Sequence, residues 1–270
     1  MLPLRTLINP KIFAHIILQS KNEEFFSKGK KLKKDLKVKK DSLLELISNL
    51  ESLIKKLKIK RKETEWGEYY QDNNYSTIAI RDKYKKVKKY LELTRTSKNV
   101  WDLGANDGYF SRIASSKNIL TVSIDNDEEA VEKNYQIAKK ENDAYLLPIF
   151  LDLNNPTPSF GWAGEERDSL FKRGPCECIF ALALIHHLAI TNNLPFDHIA
   201  RFFSLMGRWL IIEFVAKDDS QVKKMLTLRE DIFSKYTKEG FEKSFLAYFK
   251  IVRSDKIKDT ERYLYLMRIK

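Results

Sequence analysis

Cysteine is scarce, with Cys176 and Cys178 the only two in 270 residues. A lone C-x-C pair supplies neither the four ligands of a structural zinc site nor a disulfide framework. Both thiols are therefore expected to be buried near the start of a core strand. No uninterrupted apolar run approaches the roughly 20 residues that a membrane span needs. The opening stretch has only a short apolar patch, broken by Pro10, Lys11 and His15, and it lacks a small-residue cleavage site. A cytoplasmic location is the expectation. Internal repeats are missing, as is any low-complexity tract beyond the lysines. No Walker phosphate loop is present, and no motif surrounds a Ser or Cys nucleophile.

What the chain has in excess is positive charge, and it is unevenly placed. The composition, 43% hydrophobic and 32% charged, is that of an ordinary globular protein long enough to bury a core. The net charge is +12. Residues 28–62 hold 14 Lys/Arg against 4 Asp/Glu, so this arm alone carries +10. Such an arm can attract phosphates, which makes RNA a possible partner through residues 28–62. The plainer reading is a solvated helix face. No aromatic residue lies between Phe26 and Trp66, so the arm has no base-stacking platform.

Within the arm, Ser42 and Glu45 form a capping-box signature. Leu43, Leu46, Leu50, Leu53 and Leu57 follow at alternating spacings of three and four, which predicts an amphipathic helix. Its stripe is expected to pack on the main domain or on a neighbour. An aromatic segment with Trp66, Tyr69, Tyr70 and Tyr75 comes next, then a helix over about 78–94 with Tyr84, Val87 and Leu91 on one face. This divides the chain into a basic extension (1–62), an aromatic lid and helix (63–97) and a main domain (98–270). From residue 99, short apolar strands alternate regularly with helices, the pattern of a parallel sheet covered on both faces. The strands are NVWDLGA, LTVSIDN, AYLLPIFLDL, CECIFALALI and RWLIIEFVA. Helical stretches at about 219–234 and 238–249 lead to a terminal hairpin.

The strongest local signal is Asp102-Leu103-Gly104-Ala105-Asn106-Asp107-Gly108, a glycine-bearing turn after the first strand. Glycines there let the backbone approach a ligand and adopt positive φ. A dinucleotide fingerprint needs G-x-G-x-x-G, but Asn106 and Tyr109 occupy its second and third glycine positions. Asp102 before the turn suits a cationic ligand better than a diphosphate. Asp125 ends the second strand 17 residues beyond Gly108, where a carboxylate can accept from both hydroxyls of a ribose. Asp127 is the better cap for the helix that follows. Asp152 ends the third strand, so acids from three successive strands meet at the carboxyl edge where open α/β sheets bind ligands.

The D-x-G-x-N-x-G turn resembles the first motif of class I methyltransferases, usually written D/E-x-G-x-G-x-G. Asn106 replaces the middle glycine, and asparagine tolerates left-handed backbone better than most residues. From Trp66 onward the chain further resembles a bacterial methyltransferase group that includes host-specificity nodulation proteins. The resembling blocks are TEWGEYY, DLGANDGYFS, LALIHHLAI and LIIEFVAKDD. Members often carry further N-terminal sequence, so the chain can be a shorter relative or a fragment. The resemblance implies an α/β, Rossmann-like, seven-stranded and mostly parallel sheet of order 3-2-1-4-5-7-6. It implies S-adenosylmethionine as cofactor, held by Asp102, Gly104, Asn106, Gly108, Asp125, Asn126, Asp152 and Leu153, the last two beside the adenine. Trp66, Tyr70 and Tyr75 are candidates for an aromatic lid, whose ring faces favour a sulfonium.

On the acceptor side, His186 and His187 follow the fourth strand, and an imidazole can take a hydroxyl proton. Neighbours on an extended chain point opposite ways, so one of the two is expected to face the site. Glu213, ending the fifth strand, is the next candidate base, followed by Asp218 and Asp219. The loop with Trp162 and Glu165-Glu166-Arg167 is a candidate wall of the acceptor pocket. The D/N-P-P-Y/F motif used on planar amino groups is missing, because HHLAI stands in its place. A metal is not expected, since two adjacent histidines cannot readily bind one ion. The reaction expected is methyl transfer to an oxygen or nitrogen of an unidentified acceptor, small or carbohydrate-like. The rivals are an RNA methyltransferase and a module that binds the cofactor without turnover.

Overall fold

The computed structural model describes residues 39–56, 76–96, 98–227 and 229–270, together with the single position 12. The chain divides into two units, Met1–Arg61 and Lys62–Lys270. In the first, helix α1 runs over Lys40–Lys56 and none of its residues is buried. It starts earlier than the capping box suggests. The Leu43 N–H already bonds the Lys39 carbonyl at 3.2 Å, so Ser42 lies inside the first turn, where Asp41 complements the positive end of the helix dipole. The remainder of the basic arm and the segment with Trp66, Tyr70 and Tyr75 lie outside the described residues.

The second unit opens with α2, Thr77–Thr94, capped by the Ser76 hydroxyl, which accepts the Ala79 N–H. Its buried stripe contains Ala79, Val87, Tyr90 and Leu91, with Lys83 in the middle. Then follow β1 (Asn99–Leu103), α3 (Arg112–Ser115), β2 (Leu120–Asp125), α4 (Glu128–Glu141), β3 (Leu146–Phe150), α5 (Leu170–Arg173) and β4 (Cys176–Ala181). After a single π-helical turn at His187–Thr191 come α6 (Phe196–Met206), β5 (Gly207–Val215), α7 (Ser220–Thr227) and α8 (Lys238–Phe245). The hairpin strands β6 (Phe249–Lys256) and β7 (Arg262–Ile269) complete the sheet. Its order is β3-β2-β1-β4-β5-β7-β6, as the resemblance implied. The first five strands are parallel, and β7 and β6 add antiparallel pairs. β1 therefore has β2 on one side and β4 on the other, a switch point whose carboxyl ends diverge to leave a crevice.

Strand alternation supplies the two faces of the core. Trp101, Leu103, Ile179, Ala181, Leu210, Ile212 and Phe214 face α6 and α8, where Phe196, Phe214, Tyr236, Phe241 and Phe245 stack on one another. Val100, Phe180, Ile211, Leu264 and Leu266 face α2 and α3. Both sides of the central strands are covered, so these strands read as continuous apolar runs. Both cysteines are buried free thiols in β4, as expected.

Several element boundaries differ from the sequence reading. The third strand ends at Phe150, so Asp152 lies two residues past it rather than at its end. β4 stops at Ala181, because Ala183 turns to φ +50, which no strand accommodates. The helix expected at 219–234 ends at Thr227. Beyond it Tyr236 enters the aromatic cluster and donates its hydroxyl to the Val215 carbonyl at 2.7 Å. The last helix ends at Phe245, since Phe249 already begins β6.

Asp127 caps α4 as predicted, its carboxylate accepting the N–H groups of Glu129 and Ala130 at 2.9 Å each. Gly108 is required twice over. Its φ is +77, and a Cβ there would run into the side-chain amide of Asn134. Gly108→Ala is expected to lower stability by about 1–3 kcal/mol. Urea unfolding would check this, and an unchanged midpoint would count against the packing.

Candidate active site

The carboxyl ends of β1 and β2 are tied together by buried polar groups. Asp102, 1% exposed, accepts the Ser111 hydroxyl at 2.6 Å. Ser111 in turn is hydrogen-bonded to Ser123 at 3.0 Å, and the Asn134 amide donates to Ser123 at 2.7 Å. These links bind β1, α3, β2 and α4 beneath the glycine turn. At its top, Asn106 takes the left-handed conformation (φ +50), and its N–H donates to Asp125 Oδ2 at 2.7 Å. The other oxygen of Asp125 accepts the Asp127 N–H at 3.0 Å. These backbone donors, with the neighbouring Asn126 N–H, fix the carboxylate at the cavity edge. Asp152 is oriented by Asn154, whose backbone and side-chain N–H groups donate to Oδ1 at 2.9 and 2.8 Å.

These groups open on a single cavity of about 270 Å³ at the carboxyl edge of the sheet. Asp102, Gly104, Asn106, Asp125, Asn126, Asp152 and Leu153 all line it. Gly108 stands behind the turn against Asn134 and does not line the cavity. Tyr75 lies outside the described residues. α2 contributes Ile80 and Lys83, which sequence reading missed. A lysine between Ala79 and Val87 reads as part of a solvated face. Its ammonium instead sits 2.6 Å from Glu213 and over the Phe110 ring.

The two histidines part company. His187 lines the cavity. His186 lies behind it, 1% exposed, its ring 4.2 Å from that of His187 and its Nδ1 without a hydrogen-bond partner. Burial, with the nearby His187, Arg262 and Lys83, holds His186 well below the usual imidazole range, so it is neutral. Glu213 does not reach the cavity. It is fully buried and accepts from Lys83 and from the Ala183 N–H (2.9 Å), with Arg262 at 3.4 Å from its other oxygen. Asp219 is held by Arg262 at 2.7 and 3.0 Å, and Asp218 is exposed. The loop with Trp162 meets the cavity only at its start, Asn154. Among the described residues, no three His, Cys, Asp or Glu side chains are grouped to hold a metal, and no helix is long and apolar enough to cross a membrane.

Burial pushes the Asp102 carboxyl up to about 7, against the opposing Ser111 hydrogen bond and Lys83 ammonium. Burial also raises Asp125, against the Asn106 and Asp127 N–H groups. For Asp102 the consequence is a stability cost. Between its ordinary value of 3.8 and about 7, the folded chain binds a proton that the unfolded chain has released, so stability falls as pH rises through that window. Asp102→Asn keeps an acceptor for Ser111 and removes the charge. It is expected to unfold at a higher temperature than wild type near about pH 8, by up to about 4 kcal/mol in stability, with the gap closing near about pH 4. Thermal unfolding at the two pH values checks this.

No protein-family model matches the chain. In sequence it is 32% identical over 273 residues to nodulation protein NoeA of Rhizobium meliloti (strain 1021), covering 98% of this chain. The chain spans 56% of that relative's length. Among solved structures it resembles a magnesium protoporphyrin IX methyltransferase from Synechocystis PCC 6803 with bound SAH. That match has a TM-score of 0.53 and 16% identity, covering 76% of this chain and 93% of the other. A SAM-dependent methyltransferase from Aquifex aeolicus matches with a TM-score of 0.51 and 14% identity, covering 77% of this chain and 100% of the other. The fold is thus that of class I methyltransferases, and the sequence likeness to NoeA extends over nearly the whole chain.

Proposed function

We propose that the protein binds S-adenosylmethionine in the cavity at the carboxyl edge and transfers its methyl group to an oxygen or nitrogen of a small or carbohydrate-like acceptor. The observation that carries this reading is the convergence on one cavity of Asp102 and Asp125, from β1 and β2, and Asp152, two residues beyond β3. The sequence likeness to a nodulation protein and the methyltransferase fold support it. Three carboxylates face a single ammonium, that of Lys83, which is itself paired with Glu213. Such a wall favours a ligand that bears positive charge. Bound there, S-adenosylmethionine supplies a methyl group made electrophilic by a sulfonium.

The residues divide the remaining work. Asp125, oriented by backbone donors, accepts from ribose hydroxyls, and Asp152 with Leu153 borders the adenine. Asp102 lies where an ammonium or a sulfonium benefits from a buried negative charge. His187 is the cavity histidine, and its imidazole can take a proton from a hydroxyl or amine acceptor as the new bond forms. Calorimetry with S-adenosylmethionine and S-adenosylhomocysteine tests the proposal. One saturable site per chain is expected for each, and no heat from either would refute it. In a screen of hydroxyl and amine acceptors with methyl-labelled cofactor, His187→Ala should lower transfer about 10²- to 10⁴-fold while leaving cofactor affinity within about twofold. Equal transfer by the variant would remove His187 as the base.

A further inference from the structure

The segment after β4 is a constrained part of the cavity wall. Ala183 sits at φ +50, a left-handed conformation that a residue with a Cβ keeps only when its surroundings hold it there. The group that holds it is Glu213, whose Oε2 accepts the Ala183 N–H at 2.9 Å and also takes the Lys83 ammonium at 2.6 Å. Two structural consequences follow immediately downstream. Leu184 closes over Gly104, where an added Cβ would come within 3.0 Å of Leu184 Cδ1. The Leu184 carbonyl accepts the His187 N–H at 3.0 Å, starting the turn that carries the cavity histidine. One backbone conformation therefore sets both the cover over the glycine turn and the origin of His187.

We propose that Glu213 is a positioning residue, which holds Ala183 in the left-handed conformation and so places Leu184 and His187 against the cofactor turn, with Lys83 of α2 steadying its carboxylate. The inference rests on the assignment of the cavity to S-adenosylmethionine. It gives Glu213 a part in the site although it touches neither cofactor nor acceptor, and it makes α2 an element of that site.

Removing Glu213 alone would leave Lys83 buried without its carboxylate, so the test removes both charges together. Lys83→Met/Glu213→Leu replaces a buried ion pair by apolar groups of similar size, an exchange that folded proteins often tolerate. Arg262 keeps its two bonds to Asp219. S-adenosylhomocysteine affinity is expected to fall about tenfold, because Ala183 has lost its acceptor. Adding Ala183→Gly, which adopts positive φ freely, should recover at least about threefold of that loss. No loss, or a loss that glycine leaves untouched, would overturn the proposal, since a direct or merely structural part for Lys83 predicts no recovery. Hydrogen exchange on the wild-type protein decides the matter even where the variants do not fold. The Ala183 amide lies outside every strand, yet it should exchange as slowly as the core amides of β5. Exchange at the rate of exposed loops would contradict the proposal. A wild-type protein that binds no S-adenosylhomocysteine but protects this amide would refute the cofactor assignment and leave the hold of Glu213 on Ala183 standing.

Discussion

Asp125→Ala is expected to weaken S-adenosylmethionine and S-adenosylhomocysteine by at least about a hundredfold while leaving the domain folded. Each hydrogen bond from a ribose hydroxyl to an ionised carboxylate contributes about 1.5–3 kcal/mol, so losing two costs about two orders of magnitude or more. Alanine also leaves the N–H groups of Asn106 and Asp127 without the oxygens they donate to at 2.7 and 3.0 Å, which loosens the left-handed turn at Asn106. The fold should survive, because burial already disfavours this carboxylate's charge. Acidification should mimic the variant. The Asp125 pKa is raised, so its ionised form, and with it affinity, begins to be lost above the ordinary carboxylate range. Calorimetric affinities across pH, alongside urea unfolding, separate the loss of binding from loss of structure. A variant that binds as tightly as wild type would remove the ribose assignment.

The second large effect is on stability. Arg262 is 2% exposed and serves both Asp219, at 2.7 and 3.0 Å, and Glu213, at 3.4 Å. Arg262→Met takes the guanidinium from the fully buried Glu213, which keeps Lys83, and from Asp219, whose side chain is 11% exposed. Breaking a buried pair from one side costs about 3–5 kcal/mol. In a domain of this size that lowers the unfolding temperature by about 6–20 °C. Lys256 and Glu261 form an ion pair of the same 2.7 Å length, but both side chains are about half exposed. Lys256→Met should leave the midpoint unchanged, since water and salt screen such pairs. Equal shifts in the two variants would contradict the view that burial decides the strength of these contacts.

What was legible in the sequence follows from which interactions are local. β1, β2, β5 and β7 are largely apolar strands with turn or polar residues at their ends, so their positions could be read directly. Asp102, Asp125 and Asp152 stood out because strand ends in this topology share one edge, and the motif around Gly104 fixed the register. Asp127 was recognisable as a cap from its immediate neighbours. The end of β4 was hidden, since Ala-Leu-Ala-Leu-Ile reads as strand and no glycine marks the reversal at Ala183. Lys83 and Arg262 were hidden for a different reason. Their partner Glu213 lies 130 residues from the first and 49 from the second, and no spacing rule reaches across such distances. The same long-range pairing explains why Glu213, a plausible base at a strand end, instead turns to the interior and leaves His187 in the cavity. α1 shows the limit of local rules at its start, where Ser42 and Glu45 match a capping pattern that the helix overruns.

The most direct test of the account is a crystal structure with S-adenosylhomocysteine. The ribose hydroxyls are expected within hydrogen-bonding distance of Asp125 and the adenine beside Asp152 and Leu153, with the glycine turn unmoved. Density for the nucleoside elsewhere on the domain, or an empty carboxyl edge at saturating ligand, would contradict it.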